Sequence, residues 1–239
     1  DCKDSATELR QKLIEDIAET KEELLEKYLE GQERSSEEIA GGIKTGIINQ
    51  SLIPVICGSA MQNTGIKMIM DTMADYLPSP LERAAIEVIE PKTKEQKTIE
   101  PKNEAPLAAY VFKTIADPYA GKLTIFRVFS GTLNADSTVY NATKKAKEKI
   151  GQILQLEGKT QKPTESAITG DIMAIAKLKE STTGDTYCDE KNEINFKRIK
   201  FPSPVISCAL FPKSRGDEDK MSNALARLVE EDPSLILKR

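Results

Sequence analysis

The 239-residue chain contains no histidine at all. That absence removes the commonest general base and the commonest zinc ligand, so no Ser-His or Cys-His nucleophile pair can be assembled. Its four cysteines, Cys2, Cys57, Cys188 and Cys208, are scattered and form no Cys-x-x-Cys pair. A zinc site is thereby excluded, and reduced thiols in a cytosolic protein are the plain reading. No apolar run approaches the roughly 18 residues that would span a membrane, and the opening Asp-Cys-Lys-Asp lacks a signal-peptide pattern. Charge of one sign is also missing. With 34 basic and 38 acidic side chains, bulk positive charge cannot drive nucleic-acid binding, and any such contact must be a local patch.

Nucleotide-binding motifs are absent as well. Gly158-Lys159-Thr160 ends like a phosphate-binding loop, but Ile153 stands where the first glycine belongs and no helical pattern follows the threonine. No Asp-x-x-Gly and no Asn/Thr-Lys-x-Asp occurs. The chain alone is therefore not expected to hydrolyse a nucleotide.

What is present changes character along the chain. Leu9, Leu13, Ile17, Leu24, Leu25 and Tyr28 recur at helical steps, which predicts one amphipathic helix over 9–29. Residues 1–40 hold 13 acidic and 6 basic side chains, a local net charge of −7, read either as a solvated face or as a partner surface. Ser35, followed by Glu37 and Glu38, predicts an N-cap opening a second helix to about Asn49. Leu52 to Ala60 reads as a buried parallel strand. Ile66, Ile69, Met70, Met73 and Leu77 then mark a helix whose methionines are expected to pack in a core, and Pro78 and Pro80 end it. From Leu81 to Pro106 the chain reads as a linker or loose hairpin.

Short β-type runs follow at Leu107 to Lys113, Leu123 to Phe129, Thr138 to Tyr140, Lys149 to Leu156 and Ile172 to Ala176. Turn chemistry separates them at Asp117-Pro118, Ser130-Gly131, Thr169-Gly170-Asp171 and Thr183-Gly184-Asp185, which predicts a small closed β-barrel. Arg127 lies among the apolar residues of the second run, so it either meets a carboxylate at the barrel rim or marks a partly exposed face. A strand from Val205 to Phe211 and a helix from about Asp217 to Glu231 close the sequence. One strand and one helix cannot complete a core, and the start lies inside an acidic helix, so a piece of something larger is expected.

Residues 141–162 carry six lysines, Lys144, Lys145, Lys147, Lys149, Lys159 and Lys162, against Glu148 and Glu157, a local charge of +4. A stripe of that kind would release counterions at phosphates. No aromatic residue interleaves it, so contact to backbone rather than to bases is expected. A solvated lysine-rich hairpin is the other reading.

Six separated segments, in order, resemble elongation factor G: Leu24 to Gly31, Ile53 to Ala60, Asp75 to Pro80, Lys122 to Leu133, Thr182 to Thr186, and Pro202 to Pro212 with Glu230 to Pro233. The resemblance implies a multi-domain fold, α/β plus all-β. Residues 1–50 would be the end of a helical insertion of the G domain, 51–80 the closing β-α unit of that domain, and 81–103 a linker. Residues 104–196 would form the domain II β-barrel, and 197–239 the start of a ferredoxin-like domain III. It implies that Gly58, Ser59 and Ala60 form the last guanine-binding motif, that GTP with Mg2+ serves the parent protein and does not bind this piece, and that no residue here is catalytic. It also implies contact of Lys144, Lys145, Lys147 and Lys149 with small-subunit ribosomal RNA, docking of the acidic helix on the ribosomal stalk protein, a cytoplasmic monomer, and a parent that drives translocation. Met61-Gln62, the loop at Glu180-Ser181 and the linker at Pro91 to Pro101 depart from that family's usual residues, which leaves open a ribosomal-protection or elongation factor G-like paralogue. A stand-alone, non-enzymatic RNA-binding barrel is the competing class.

Overall fold

A computed structural model describes residues 2–83, 85–117 and 121–238. Pro118 of the expected Asp117-Pro118 turn lies outside them. The chain divides into two compact units, the first ending at Arg83.

The first unit is helical: α1 (Cys2–Ala18), α2 (Glu22–Leu29), α3 (Ser36–Ile48) and α4 (Ile66–Tyr76). The single helix expected over 9–29 is broken. At Thr20 the backbone N–H reaches back three residues to the Ile17 carbonyl at 3.0 Å, and the Thr20 hydroxyl donates to the same carbonyl at 2.7 Å. The break turns the chain so that Ile17 and Leu24, both buried, converge on Gly42 of α3. A capping box starts α3: Glu38 N–H donates to Ser35 Oγ at 3.2 Å, and Ser35 N–H donates to Glu38 Oε2 at 3.0 Å. Lys27 pairs with the same Glu38 and ties α2 to α3.

The expected strand over 52–60 does not form. Residues 52–57 have no regular structure, and Ile53 and Val55 are among the most exposed apolar residues. A parallel strand needs ladder partners, and among the described residues of this unit no strand offers one. The methionines of α4 are likewise not core: Met68, Met70 and Met73 are all more than half exposed.

Among the described residues, every strand lies in the second unit. β1 (Ile86–Ile89) and β2 (Gln96–Ile99) form a hairpin. Then come β3 (Ala108–Asp117), β4 (Gly121–Ser130), β5 (Leu133–Asn134), β6 (Thr138–Asn141), β7 (Ala146–Lys149), β8 (Ile153–Glu157), β9 (Thr160–Thr164), β10 (Ser166–Ala167), β11 (Ile172–Ala176) and β12 (Thr186–Cys188). Eight of them make one antiparallel sheet in the order β7-β6-β12-β3-β4-β11-β8-β9. The β5–β10 pair and the bond from Ala135 N–H to the Glu165 carbonyl, 2.8 Å, join its two ends, so the sheet curls into a barrel. Alternation along β4 sends Phe126 and Val128 inward, where they meet Val111, Leu133, Ile153, Ile175 and Tyr187.

Arg127 falls on the outer face of β4, half-buried, with its guanidinium 5.4 Å from the Phe129 ring centroid. It thus marks a partly exposed face and makes no carboxylate pair among the described residues. Gly131 adopts φ +78 directly after β4, and a Cβ there would lie 2.7 Å from Leu107 Cα, so the Ser130-Gly131 turn requires glycine on both counts.

Segment 81–103 is more than a connector. Its β1–β2 hairpin lies on the outer barrel face, where Val88, Ala108, Tyr110, Cys188, Ile194 and Phe196 form a second core. The run expected over 149–156 is split at Ile150-Gly151-Gln152 into β7 and β8, while β9, β10 and β12 carry too little apolar alternation to be foreseen. After the barrel, residues 202–212 have no regular structure, and Val205 and Phe211 stand almost fully exposed. The strand expected at Val205 to Phe211 is therefore absent, again with no ladder beside it. α5 (Glu218–Glu231) forms and rests on the β3–β4 hairpin, where Lys122 Nζ lies 3.6 Å from Glu230 Oε1. No helix among the described residues is long and apolar enough to cross a membrane.

Candidate nucleic-acid interface

The lysines divide into two groups. Lys144 and Lys145 occupy the turn between β6 and β7, Lys147 and Lys149 follow on β7, and Lys159 and Lys162 belong to the separate β8–β9 hairpin. They are not one stripe. Lys162 is partly neutralised by Glu157 at 2.7 Å and Lys147 by Glu190 at 2.6 Å. Among the described residues Lys144, Lys145, Lys149 and Lys159 form no ion pair.

Strand alternation explains why the first group is so basic outward. Along β7, Lys147 and Lys149 point to solvent while Glu148 between them is buried. The Glu148 carboxylate accepts from Glu180 N–H at 2.8 Å and from the Ser181 hydroxyl. Ser181 Oγ in turn accepts from Asn141 Nδ2 at 3.3 Å, and the same Nδ2 donates to Asp185 Oδ2 at 2.9 Å. Asp185 also accepts from Thr182 N–H at 2.9 Å. The remaining polar atom of Asn141, Oδ1, accepts from Lys144 N–H at 3.1 Å. Both N–H donors and the carbonyl oxygen of this buried carboxamide are thus engaged under the lysine turn. Thr143 adds a further tie by accepting from Thr186 N–H at 3.1 Å.

Tyr187 lies wholly buried beside this network. Burial pushes its phenol upward, against a smaller downward pull from Ser181, and its hydroxyl makes no hydrogen bond of normal geometry among the described residues. Burial likewise pushes the thiol of the adjacent Cys188 up to about 11.

Gly58, Ser59 and Ala60 sit in the first unit, in a tight loop ahead of α4. Ser59 and Thr64 exchange backbone hydrogen bonds at 2.9 and 3.0 Å. A Cβ at Gly58 would lie 3.0 Å from the Thr64 carbonyl oxygen, and Gly65, at φ +77, caps the helix start. The Ser59 amide is therefore spent inside the loop, while Gly58 and Ala60 face solvent. The residues present do not fit a magnesium-bound triphosphate. Gly158-Lys159-Thr160 is the turn of a β-hairpin that runs into β9, with Gly158 at φ +60, and no helix N-terminus follows it.

Asn141, Glu148, Ser181 and Asp185 were not foreseeable as one group, because the partners are 33 to 44 residues apart in sequence. The sole local signal is the Thr182-Thr-Gly-Asp-Thr186 turn.

Comparison with known proteins places these elements. Residues 106–190 match the family model for elongation factor G domain 2, and residues 201–239 match that for elongation factor G domain III. A crystal structure from Thermus thermophilus superposes with a TM-score of 0.78 at 29% identity, covering 100% of this chain and 33% of the other. The chain thus spans about a third of that protein's length.

Proposed function

For this chain, which belongs to the elongation factor G family and carries that family's domain 2 and the start of its domain III, we propose a place in a translational GTPase that works on the ribosome. The parent protein hydrolyses GTP and drives tRNA and mRNA through the small subunit in the cytoplasm. This part supplies the barrel that rests on small-subunit ribosomal RNA. The observation that carries the reading is the β6–β7 turn: Lys144, Lys145 and Lys149 stand exposed without carboxylate partners among the described residues, while Glu148 is withdrawn into the barrel wall. Such a surface suits phosphates, and the lack of any aromatic residue in positions 141–162 suits backbone contact rather than base stacking.

Two further roles follow from the same membership. The acidic face of α1 and α2 docks the stalk protein, consistent with the near-complete exposure of residues 2–16. Gly58, Ser59 and Ala60 close one edge of the parent's guanine pocket. No residue of this chain holds the phosphates or the magnesium of the parent's nucleotide in this reading.

Co-sedimentation with purified small ribosomal subunits across a salt series tests the reading. The expected result is saturable binding whose log affinity falls linearly with log salt. Absence of binding at low salt would overturn the assignment of RNA contact to this barrel.

A further inference from the structure

We propose that Asn141 is the positioning residue of the lysine turn, holding Lys144 and Lys145 in a fixed pose for two successive phosphates of an RNA backbone. The inference rests on the ribosomal reading above and deepens it. An exposed lysine is a point charge on a flexible four-carbon stem, and immobilising it on a ligand costs entropy. A turn whose backbone is already fixed leaves only the stem to be ordered.

Asn141 fixes it from inside. It is wholly buried at the end of β6, three residues before Lys144, and its Oδ1 takes the Lys144 N–H directly. Its Nδ2 is anchored on both sides, by Asp185 and by Ser181, and Ser181 is anchored in turn by Glu148. Among the described residues, two buried carboxylates are thereby held by neutral hydrogen-bond donors and by no lysine, although four lysines lie on the same hairpin. Neither carboxylate forms an ion pair with the turn among the described residues: both face inward while Lys144, Lys145 and Lys149 face out. The arrangement keeps the acids as rigid acceptors inside and leaves these lysines free of direct ion pairs among the described residues. Lys145 sits at φ 56, a left-handed conformation that costs a lysine roughly 1 kcal/mol and that the tied turn maintains.

The test compares variants of the full chain for small-subunit binding across a salt series, at a temperature where circular dichroism shows each to be folded. The Lys144→Gln/Lys145→Gln double variant is expected to lower the salt slope by about 1.5, the loss of two phosphate contacts. Asn141→Ala is expected to keep the slope, since every charge remains, yet to weaken binding roughly three- to tenfold as the turn loses its pose. Its Lys144 amide should also lose hydrogen-exchange protection. Should Asn141→Ala not fold, Ser181→Ala, which removes only the hydroxyl between Asn141 and Glu148, is expected to show the same pattern more weakly. Wild-type affinity in the folded Asn141 or Ser181 variant, with the lysine variant still impaired, would overturn the positioning role and leave the ribosomal reading standing. An unaltered slope in the lysine variant would overturn the RNA reading and this inference with it.

Discussion

The Cβ that Gly42 lacks would lie 2.3 Å from Cγ2 of Ile17, and 3.1 Å from Cδ1 of Leu24. Ile17 is buried and β-branched, so its methyl cannot swing aside. Gly42→Ala is therefore expected to destabilise the first unit by about 2 kcal/mol despite the helix propensity that alanine adds. Gly41, one residue earlier on α3, has nothing within 4 Å of its absent Cβ. Gly41→Ala should raise stability by about 0.5–1 kcal/mol. Urea unfolding of the pair decides it: equal effects of the two substitutions would refute the close packing of α1 and α2 on α3.

Lys44 holds the Glu82 carboxyl down at about 2, with the Ser79 N–H helping through its own hydrogen bond to the carboxylate. A depressed carboxylate stabilises the fold above the ordinary range near 4.5 and loses that contribution as pH falls toward 2. An NMR titration of Glu82 should show the low value in the native chain and a return toward the ordinary range in Lys44→Met. A midpoint unmoved by Lys44→Met would show that the ion pair is not its cause.

Tyr187 presents the opposite case, a buried hydroxyl with no hydrogen bond of normal geometry among the described residues. Its ring still packs on Phe126, with centroids 6.1 Å apart. Tyr187→Phe retains the ring and removes the uncompensated polar atom, so thermal unfolding should show a gain of about 1 kcal/mol. A loss of similar size would mean that the hydroxyl is hydrogen-bonded in solution, with Ser181 as its partner.

Cysteine reactivity follows from burial. Cys2, Cys57 and Cys208 are exposed, whereas Cys188 is enclosed and its thiol is pushed up to about 11. Iodoacetamide at neutral pH should label three thiols rapidly and spare Cys188 until the barrel unfolds. Prompt labelling of all four by mass spectrometry would contradict the closed second core.

Elements with strong periodicity were legible in the sequence: α3 with its Ser35 cap, α4, β4 and the Ser130-Gly131 turn all form where pattern and turn chemistry place them. Two kinds of feature were not. Leu52 to Ala60 and Val205 to Phe211 have strand composition, yet composition cannot supply the neighbouring strand whose hydrogen bonds define one. The break at Thr20 was hidden for a related reason, since it depends on Ile17 and Leu24 both finding the glycine face of α3. At the candidate interface the lysines were evident by count, but their division between two hairpins and their support by Asn141 and Asp185 arise from pairing across long sequence separations.

Ile89 and Asn195 exchange two backbone hydrogen bonds of 2.8 Å, clasping the strand that enters the second unit to the segment that leaves its barrel. Tension applied along the chain at those two points would load this clasp in parallel with the barrel wall, and the clasp would have to rupture before β3 to β12 carried the whole pull. The barrel is in that sense mechanically shunted. Pulled through those two points, it can be displaced as one stiff body with its lysine turn undistorted.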